Sequence, residues 1–309
     1  VFQIHSRYLE IAAVVSTIAL VVVLVRGGDA LTFALATICL FSLAMLGATH
    51  KRQSLELTLE RDDAVIGALQ PAFDSHNDGL PGATVGAAHA SATSHAAIGG
   101  DTYDVRRIDD RFGYLLVADV SGKGLAAAAD TAMIKYTVAA YAAVMRDPAE
   151  IVAGLNREFI RSRTLDGAFV VVFFAIYDSL TGDVHYCAAG PNPAYVRREA
   201  SVRRLDITGP VVGLDEAMTF EAAHVRLAPG ETLLVATDGL TEARDASHKM
   251  LDDDGAMGWL RDLDRGEPQA LASAIANRLH DYVGGNLTDD LALLTVTVDA
   301  AHLLPAYAA

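Results

Sequence analysis

Residues 117–128 read VADVSGKGLAAA. They close the run FGYLLVADV over 112–120, rich in aromatic and aliphatic residues, and open an alanine-rich stretch carrying Met133 and Tyr136 at helical spacing. The pattern predicts a strand over 112–120, a turn on Gly122 and Gly124, and a long helix over 124–145. Asp119 therefore stands at a strand end. An aspartate there costs little if it faces water and much if it is buried without a partner.

The same design recurs. Asp101 follows Gly99-Gly100, Asp238 lies between Thr237 and Gly239 after GETLLVA, and Asp289-Asp290 precede LALLTVTV. One such residue is an ordinary turn aspartate. Four, each tied to an apolar strand, converge if the strand ends share one edge of a sheet pair. Converging carboxylates repel one another unless cations sit among them. All-oxygen donors select Mg²⁺ or Mn²⁺ over zinc. Two such ions about 4 Å apart activate a water and hold a phosphoryl oxygen. On pattern alone, a metal-assisted hydrolase and four turn aspartates both remain open.

Further strands are expected at 169–177, 183–188, 231–236 and 291–298, and helices at 149–161, opened by Asp147-Pro148, and at 268–283. Thr181-Gly182 separates two strand segments at hairpin distance. Strands outnumber helices, so the fold class is α+β: antiparallel sheet with helices packed outside, not a parallel βαβ array.

Hydrophobic residues make up 52% of the 309-residue chain, and the excess sits near the N-terminus. Two uncharged runs, 11–25 and 30–49, give expected spans of about 8–25 and 30–49, joined by Arg26-Gly27-Gly28-Asp29. Arg7 flanks one outer end and Lys51 and Arg52 the other, so the positive-inside rule puts both ends in the cytosol and the hairpin in the inner membrane. No Ala-x-Ala cleavage site follows the first run, which argues against a signal peptide. Leu55, Leu59, Ile66 and Leu69 recur on a helical period among charged residues. That face fits either a homodimer seam or packing on its own domain. Pro71 ends the helix, and 74–82 reads as loop. The expected organisation is a transmembrane hairpin over 1–52, a helical linker and loop over 53–82, a catalytic domain over 83–300 and a tail over 301–309. A formal charge of −15 excludes nucleic acid as a partner. Cys39 and Cys187, without a CxxC, support neither structural zinc nor a disulfide framework.

GGDTYDV (99–105), VADVSGKGLAAA (117–128), LAPGETLLVATDGLTEARD (227–245) and NLTDDLALLTV (286–296) resemble, in order and spacing, the motifs of the SpoIIE/RsbU-type branch of the PPM (protein phosphatase 2C-like) family. The resemblance covers about 65–298. It implies two antiparallel β-sheets in a sandwich flanked by helices, with two Mn²⁺ or Mg²⁺ ions at one edge. By motif position Asp101, Asp119, Asp238 and Asp289 would be the catalytic metal ligands, with the backbone carbonyl of Val120 as a further ligand and Asp290 set aside. The implied activity is serine/threonine protein phosphatase, with a metal-bound water attacking phosphoserine or phosphothreonine on a partner such as an anti-sigma-factor antagonist.

Some positions depart from the family pattern. Pro191 replaces a histidine, Val171 a small hydroxyl residue and Ala292 a threonine or serine, while Ser121 stands where eukaryotic relatives carry a histidine acid. None is a metal ligand. Lys123 reads as a solvated turn lysine, and the DVSGKG turn lacks the P-loop pattern. The alternative function is a catalytically weak or inactive membrane adaptor that binds a phosphoprotein. A sugar- or nucleotide-directed phosphohydrolase has no supporting motif.

Overall fold

The apolar run VVVFFAIYD, Val170–Asp178, is buried at every position. A strand with no solvent side must be covered on both faces, and this one is. Val170, Val172, Phe174 and Ile176 pack toward two helices, while Phe173, Ala175 and Tyr177 pack into the space between two sheets. In the computed structural model, residues 74–92, 100–122, 124–199, 201–264, 266–285, 287–299 and 303 are described. They belong to one compact unit, Leu69–Ala309.

The first sheet contains β1 (His76–Asn77), β3 (Asp101–Arg107), β4 (Phe112–Val120), β5 (Val170–Asp178), β6 (Asp183–Ala189) and β9 (Ala223–Arg226), in that spatial order. The second runs β2 (Ala83–Ala90), β11 (Leu291–Val298), β10 (Thr232–Ala236), β7 (Ala194–Arg198), β8 (Ser201–Arg204). Every named ladder is antiparallel except β1 with β3. Helices α1 (Leu125–Val144) and α2 (Pro148–Ser162) cover the outer face of the first sheet. Helices α3 (Asp252–Asp262) and α4 (Pro268–Tyr282) cover that of the second. The result is a four-layer αββα sandwich, as the resemblance implies.

Local chemistry sets the helix starts. Asp147 accepts the Ala149 N–H at 2.8 Å and Pro148 takes the first turn of α2. Pro268 opens α4, and its carbonyl accepts the Thr295 hydroxyl at 2.7 Å. A β-carbon on Gly86 would meet Pro268 backbone atoms at 2.2 Å, so only glycine lets α4 lie this close on β2.

The expected strand at 112–120 is β4 and that at 291–298 is β11; other predicted elements shift by a residue or so at their ends. The segment 74–82, expected as loop, contributes β1 and buries Leu80 in the inner core. Leu303, in the stretch read as a tail, packs into that same core. Cys187 is a buried free thiol. The expected hairpin over 1–52 and the linker helix lie outside the described residues. Among the described residues, no helix is long and apolar enough to cross a membrane.

Candidate metal centre

Strand periodicity aims the first carboxylate pair. β3 sends Tyr103 and Val105 into the inner core and β4 sends Leu115 and Val117 there. Steps of two put Asp101 and Asp119 on that same face, toward the second sheet. They are register partners across the β3–β4 ladder. Asp101 is 8% exposed, while Asp119 is half-buried. A β-carbon on Gly100 would lie 2.2 Å from the Val120 carbonyl oxygen. The carbonyl assigned as a ligand by motif position thus crosses directly over the residue before Asp101.

The second sheet supplies the rest. Leu233 and Val235 of β10 point inward, so Thr237 does too. Its hydroxyl donates to Asp101 Oδ2 at 2.6 Å, bridging the two sheets. Asp238 follows at the strand end. Asp289 and Asp290 lead into β11, where Asp289 Oδ1 accepts the Asp290 N–H at 3.0 Å. Asp290 is occupied elsewhere: its Oδ1 accepts the Ser91 hydroxyl at 2.9 Å and the Ala92 N–H at 2.8 Å, at the end of β2. A β-carbon on Gly239 would sit 2.0 Å from the Asp290 carbonyl oxygen. Each sheet therefore has a glycine beside an aspartate because a neighbouring carbonyl leaves no room for a side chain.

The carboxylates feel one another across the sheets. Burial, and then the charge of Asp119, holds the Asp101 carboxyl far above the usual carboxylate range, with Thr237 opposing. Burial raises Asp119 as well, and Asp289, Asp290 and Glu242 add to it, while its hydrogen bond with Asp101 opposes. Asp238 is pushed up to about 6 by burial, then by Asp119, Glu242 and Asp289. The charges of Asp289 and Asp119 thus each act on a carboxyl of the other sheet, Asp119 and Asp238. Glu242, four residues after Asp238, and Thr237 were not singled out by sequence reasoning. The spacing of Glu242 offered a signal; Thr237 reads as one more strand residue.

Among the described residues, no three His, Cys, Asp or Glu side chains are gathered so as to hold a metal ion as they stand. Asp101 and Asp119 are nonetheless register partners, and Thr237 ties Asp101 to the strand end that carries Asp238. Like charges in a low-dielectric site spread apart until a cation draws them together. The donor set is carboxylate and backbone carbonyl only, which fits a hard divalent cation. About 310 Å³ of cavity opens beside Asp238, lined by Gly239, Glu242, Ala243, Arg244, Thr288 and Asp289.

The positions that depart from the family pattern are structurally absorbed. Ser121 Oγ accepts the Phe169 N–H at 2.9 Å, and the Ser121 N–H donates to the Phe169 carbonyl at 2.9 Å. Val171 is the register partner of Asp119. It lies against Gly190, whose φ of 99° favours glycine and where a β-carbon would meet Val171 Cγ1 at 2.9 Å. The Pro191 carbonyl accepts Arg204 at 3.1 Å. Ala292 contributes its backbone to Thr237 in both directions. Lys123 lies outside the described residues.

Residues 109–299 match the family model described as stage II sporulation protein E, SpoIIE. The matched stretch includes Asp119, Asp238 and Asp289, and Asp101 lies just ahead of it. Protein IcfG of Synechocystis is 25% identical over 65% of this chain and 36% of its own length. Phosphoserine phosphatase RsbU of Bacillus subtilis is 28% identical over 42% of this chain and 39% of its own. The matches thus span less than two fifths of either curated relative. Among solved structures, the SiaA-PP2C domain of Pseudomonas aeruginosa has a TM-score of 0.65 at 21% identity, covering 80% of this chain and 98% of that one. The fold is that of a PP2C phosphatase domain. With more than half of its length on the family model, the chain belongs to the SpoIIE family.

Proposed function

We propose that this chain is a metal-dependent protein serine/threonine phosphatase, removing phosphate from phosphoserine or phosphothreonine on a partner protein. One observation carries the reading: Asp101 and Asp119 face each other across adjacent strand ends, and Asp238 and Asp289 couple to them from the opposite sheet. A structural role gives no reason to collect mutually repelling carboxylates from two sheets. The name of the relative RsbU, a phosphoserine phosphatase, supports the substrate class.

Asp101, Asp119, Asp238, Asp289 and the Val120 carbonyl would hold two Mn²⁺ or Mg²⁺ ions. When bound, such ions make water more acidic and offset the charge that grows on a phosphoryl group. The chain's own part is placement. The two strand ends fix the carboxylates, Gly100 and Gly239 let the turns close, and the Phe169 backbone holds Ser121. Among the described residues lining the cavity, Arg244 brings the one cation. With serine at 121, the proton for the leaving hydroxyl is taken from water.

We also propose that residues 1–52 anchor the chain in the inner membrane with the catalytic unit in the cytosol, and that an anti-sigma-factor antagonist is the partner. The linker helix over 53–70 meets either a second copy or its own domain. Phosphate release by the full chain from p-nitrophenyl phosphate and from phosphoserine and phosphothreonine peptides tests the activity. Turnover should appear with Mn²⁺ or Mg²⁺ and vanish with EDTA. Metal binding and phosphopeptide binding without turnover would instead mark an adaptor.

A further inference from the structure

Resting on the phosphatase reading, we propose that Thr237 is a positioning residue of the metal centre. Its hydroxyl, held by Ala292, ties Asp101 of the first sheet to the strand end that carries Asp238. It thereby sets the spacing between ligands contributed by the two sheets.

A threonine hydroxyl has one hydrogen to give and two lone pairs to offer. Here the Ala292 N–H donates to Thr237 Oγ1 at 3.0 Å, so one lone pair is used. The Thr237 N–H donates to the Ala292 carbonyl at 2.9 Å, which fixes the backbone beneath the side chain. The hydroxyl hydrogen then has two acceptors within reach. Asp101 Oδ2 stands at 2.6 Å and the Ala292 carbonyl at 3.5 Å. The shorter contact has the length of an O–H donor meeting a carboxylate. Thr237 is fully buried, so no bulk water competes for either end of this chain of bonds. Its β-branched side chain has little rotameric freedom to swing away.

The sequence of donors is therefore one-way: Ala292 N–H to Thr237 Oγ1, and Thr237 O–H to Asp101 Oδ2. Asp101 cannot turn about its own side chain without breaking the last bond. It cannot move away from the second sheet without stretching the whole series. Because Thr237 and Asp238 are consecutive, the bond that orients one carboxylate also fixes its distance to the strand end bearing the next. Outer-sphere partners of this kind govern metal affinity by holding the ligand in one pose.

Mn²⁺ binding to the full chain is read by titration calorimetry and by the Mn²⁺-induced rise in melting temperature, neither of which needs turnover. Thr237→Ser keeps the hydroxyl and should fall short of the roughly 10-fold loss that removing such a partner brings. Thr237→Val keeps the shape and removes the donor, and should weaken Mn²⁺ about 10- to 100-fold. In an Asp101→Ala background, which removes the acceptor of the hydroxyl, the valine should add almost nothing, because the two changes break the same link. Thr237→Cys, with a near-threonine size and a weak donor, gives the same ordering if the valine variant does not fold. Valine or cysteine binding Mn²⁺ as serine does, or valine adding its full effect on top of Asp101→Ala, overturns the proposal. If Asp101→Ala weakens Mn²⁺ in the same experiment, the phosphatase reading survives that failure. Wild type showing no Mn²⁺ binding overturns the reading itself, and the proposal with it.

Discussion

The backbone carbonyl of Asp290 crosses so close over Gly239 that a β-carbon there would meet its oxygen at 2.0 Å. Gly100 stands in the same relation to Val120, at 2.2 Å. Backbone cannot rotate aside as a side chain can. Gly239→Ala and Gly100→Ala should each cost about 1–3 kcal/mol or more, as overpacking does. Each should also weaken the Mn²⁺-induced shift in melting temperature, because the displaced carbonyl belongs to the residue next to a candidate ligand, Val120 beside Asp119 and Asp290 beside Asp289. Thermal melts with and without Mn²⁺ check both effects.

Asp119→Asn and Asp238→Asn keep size and remove one charge each. Metal-dependent phosphate release should fall on the order of 100-fold or more. Without metal, the variants should melt at or above the wild-type temperature, since repulsion within the cluster is relieved. Added Mn²⁺ should stabilise wild type by mass action and the variants less. Wild-type turnover together with an unchanged metal shift would return these residues to the status of turn aspartates.

Asp178 lies at the far end of the same ladder. Burial raises its carboxyl, but the Arg111 guanidinium, at 2.9 and 2.6 Å, and the Leu180 N–H outweigh this and hold it below its ordinary value. A folded-state pKa below the unfolded one gives stability present above the unfolded pKa, about 4, and lost as pH falls through the folded value. Arg111→Gln should therefore be less stable than wild type near neutrality, with the two urea-unfolding curves converging below about pH 4. A gap that persists in acid would trace the effect to the packing of Arg111 over the Phe112 ring, at 4.8 Å, rather than to charge.

Gly258 gives the opposite expectation. It sits inside α3 with nothing within 4 Å of a β-carbon. Gly258→Ala should stabilise the protein by about 0.5–1 kcal/mol, a rise of a few degrees in melting temperature.

Residues 1–52 are expected to cross the membrane twice. A topology reporter fused at Gly28 should report the outside and one at Gln70 the cytosol. A cytosolic signal at Gly28, with the full-length protein in the soluble fraction, removes the anchoring proposal.

The parts of the fold legible in the sequence are those where one residue type dominates a run. β4 and β5 read as strands because they are apolar on both faces, and α1 read as a helix because alanine fills it. β3 was hidden: DTYDVRR alternates polar and apolar residues and carries two aspartates, one a site residue and the other, Asp104, buried with Arg106 and Tyr114. β2 is made of small residues because α4 lies against it, and small residues carry little strand signal. α3 holds two glycines and three leading aspartates, a weak helical pattern that tertiary packing overrides. At the site, the aspartates stood out because charge at the end of an apolar run is costly. Thr237 did not, because its importance lies in a contact between sheets that no local pattern encodes.

Ala83 cannot meet its register partner Val298, nor Ala90 its partner Leu291, until β11 has been synthesised. β2 is an edge strand whose one ladder partner is β11, and β11 also separates it from β10. A nascent chain whose β11 has not yet been made therefore holds Asp101, Asp119 and Asp238 but lacks the strand that delivers Asp289 and supplies Ala292 to Thr237. Closing so long a loop comes late and slowly in folding. The acidic site is thereby completed only once β11 has been made, and a product truncated before that strand would have the parts of an enzyme without its assembly.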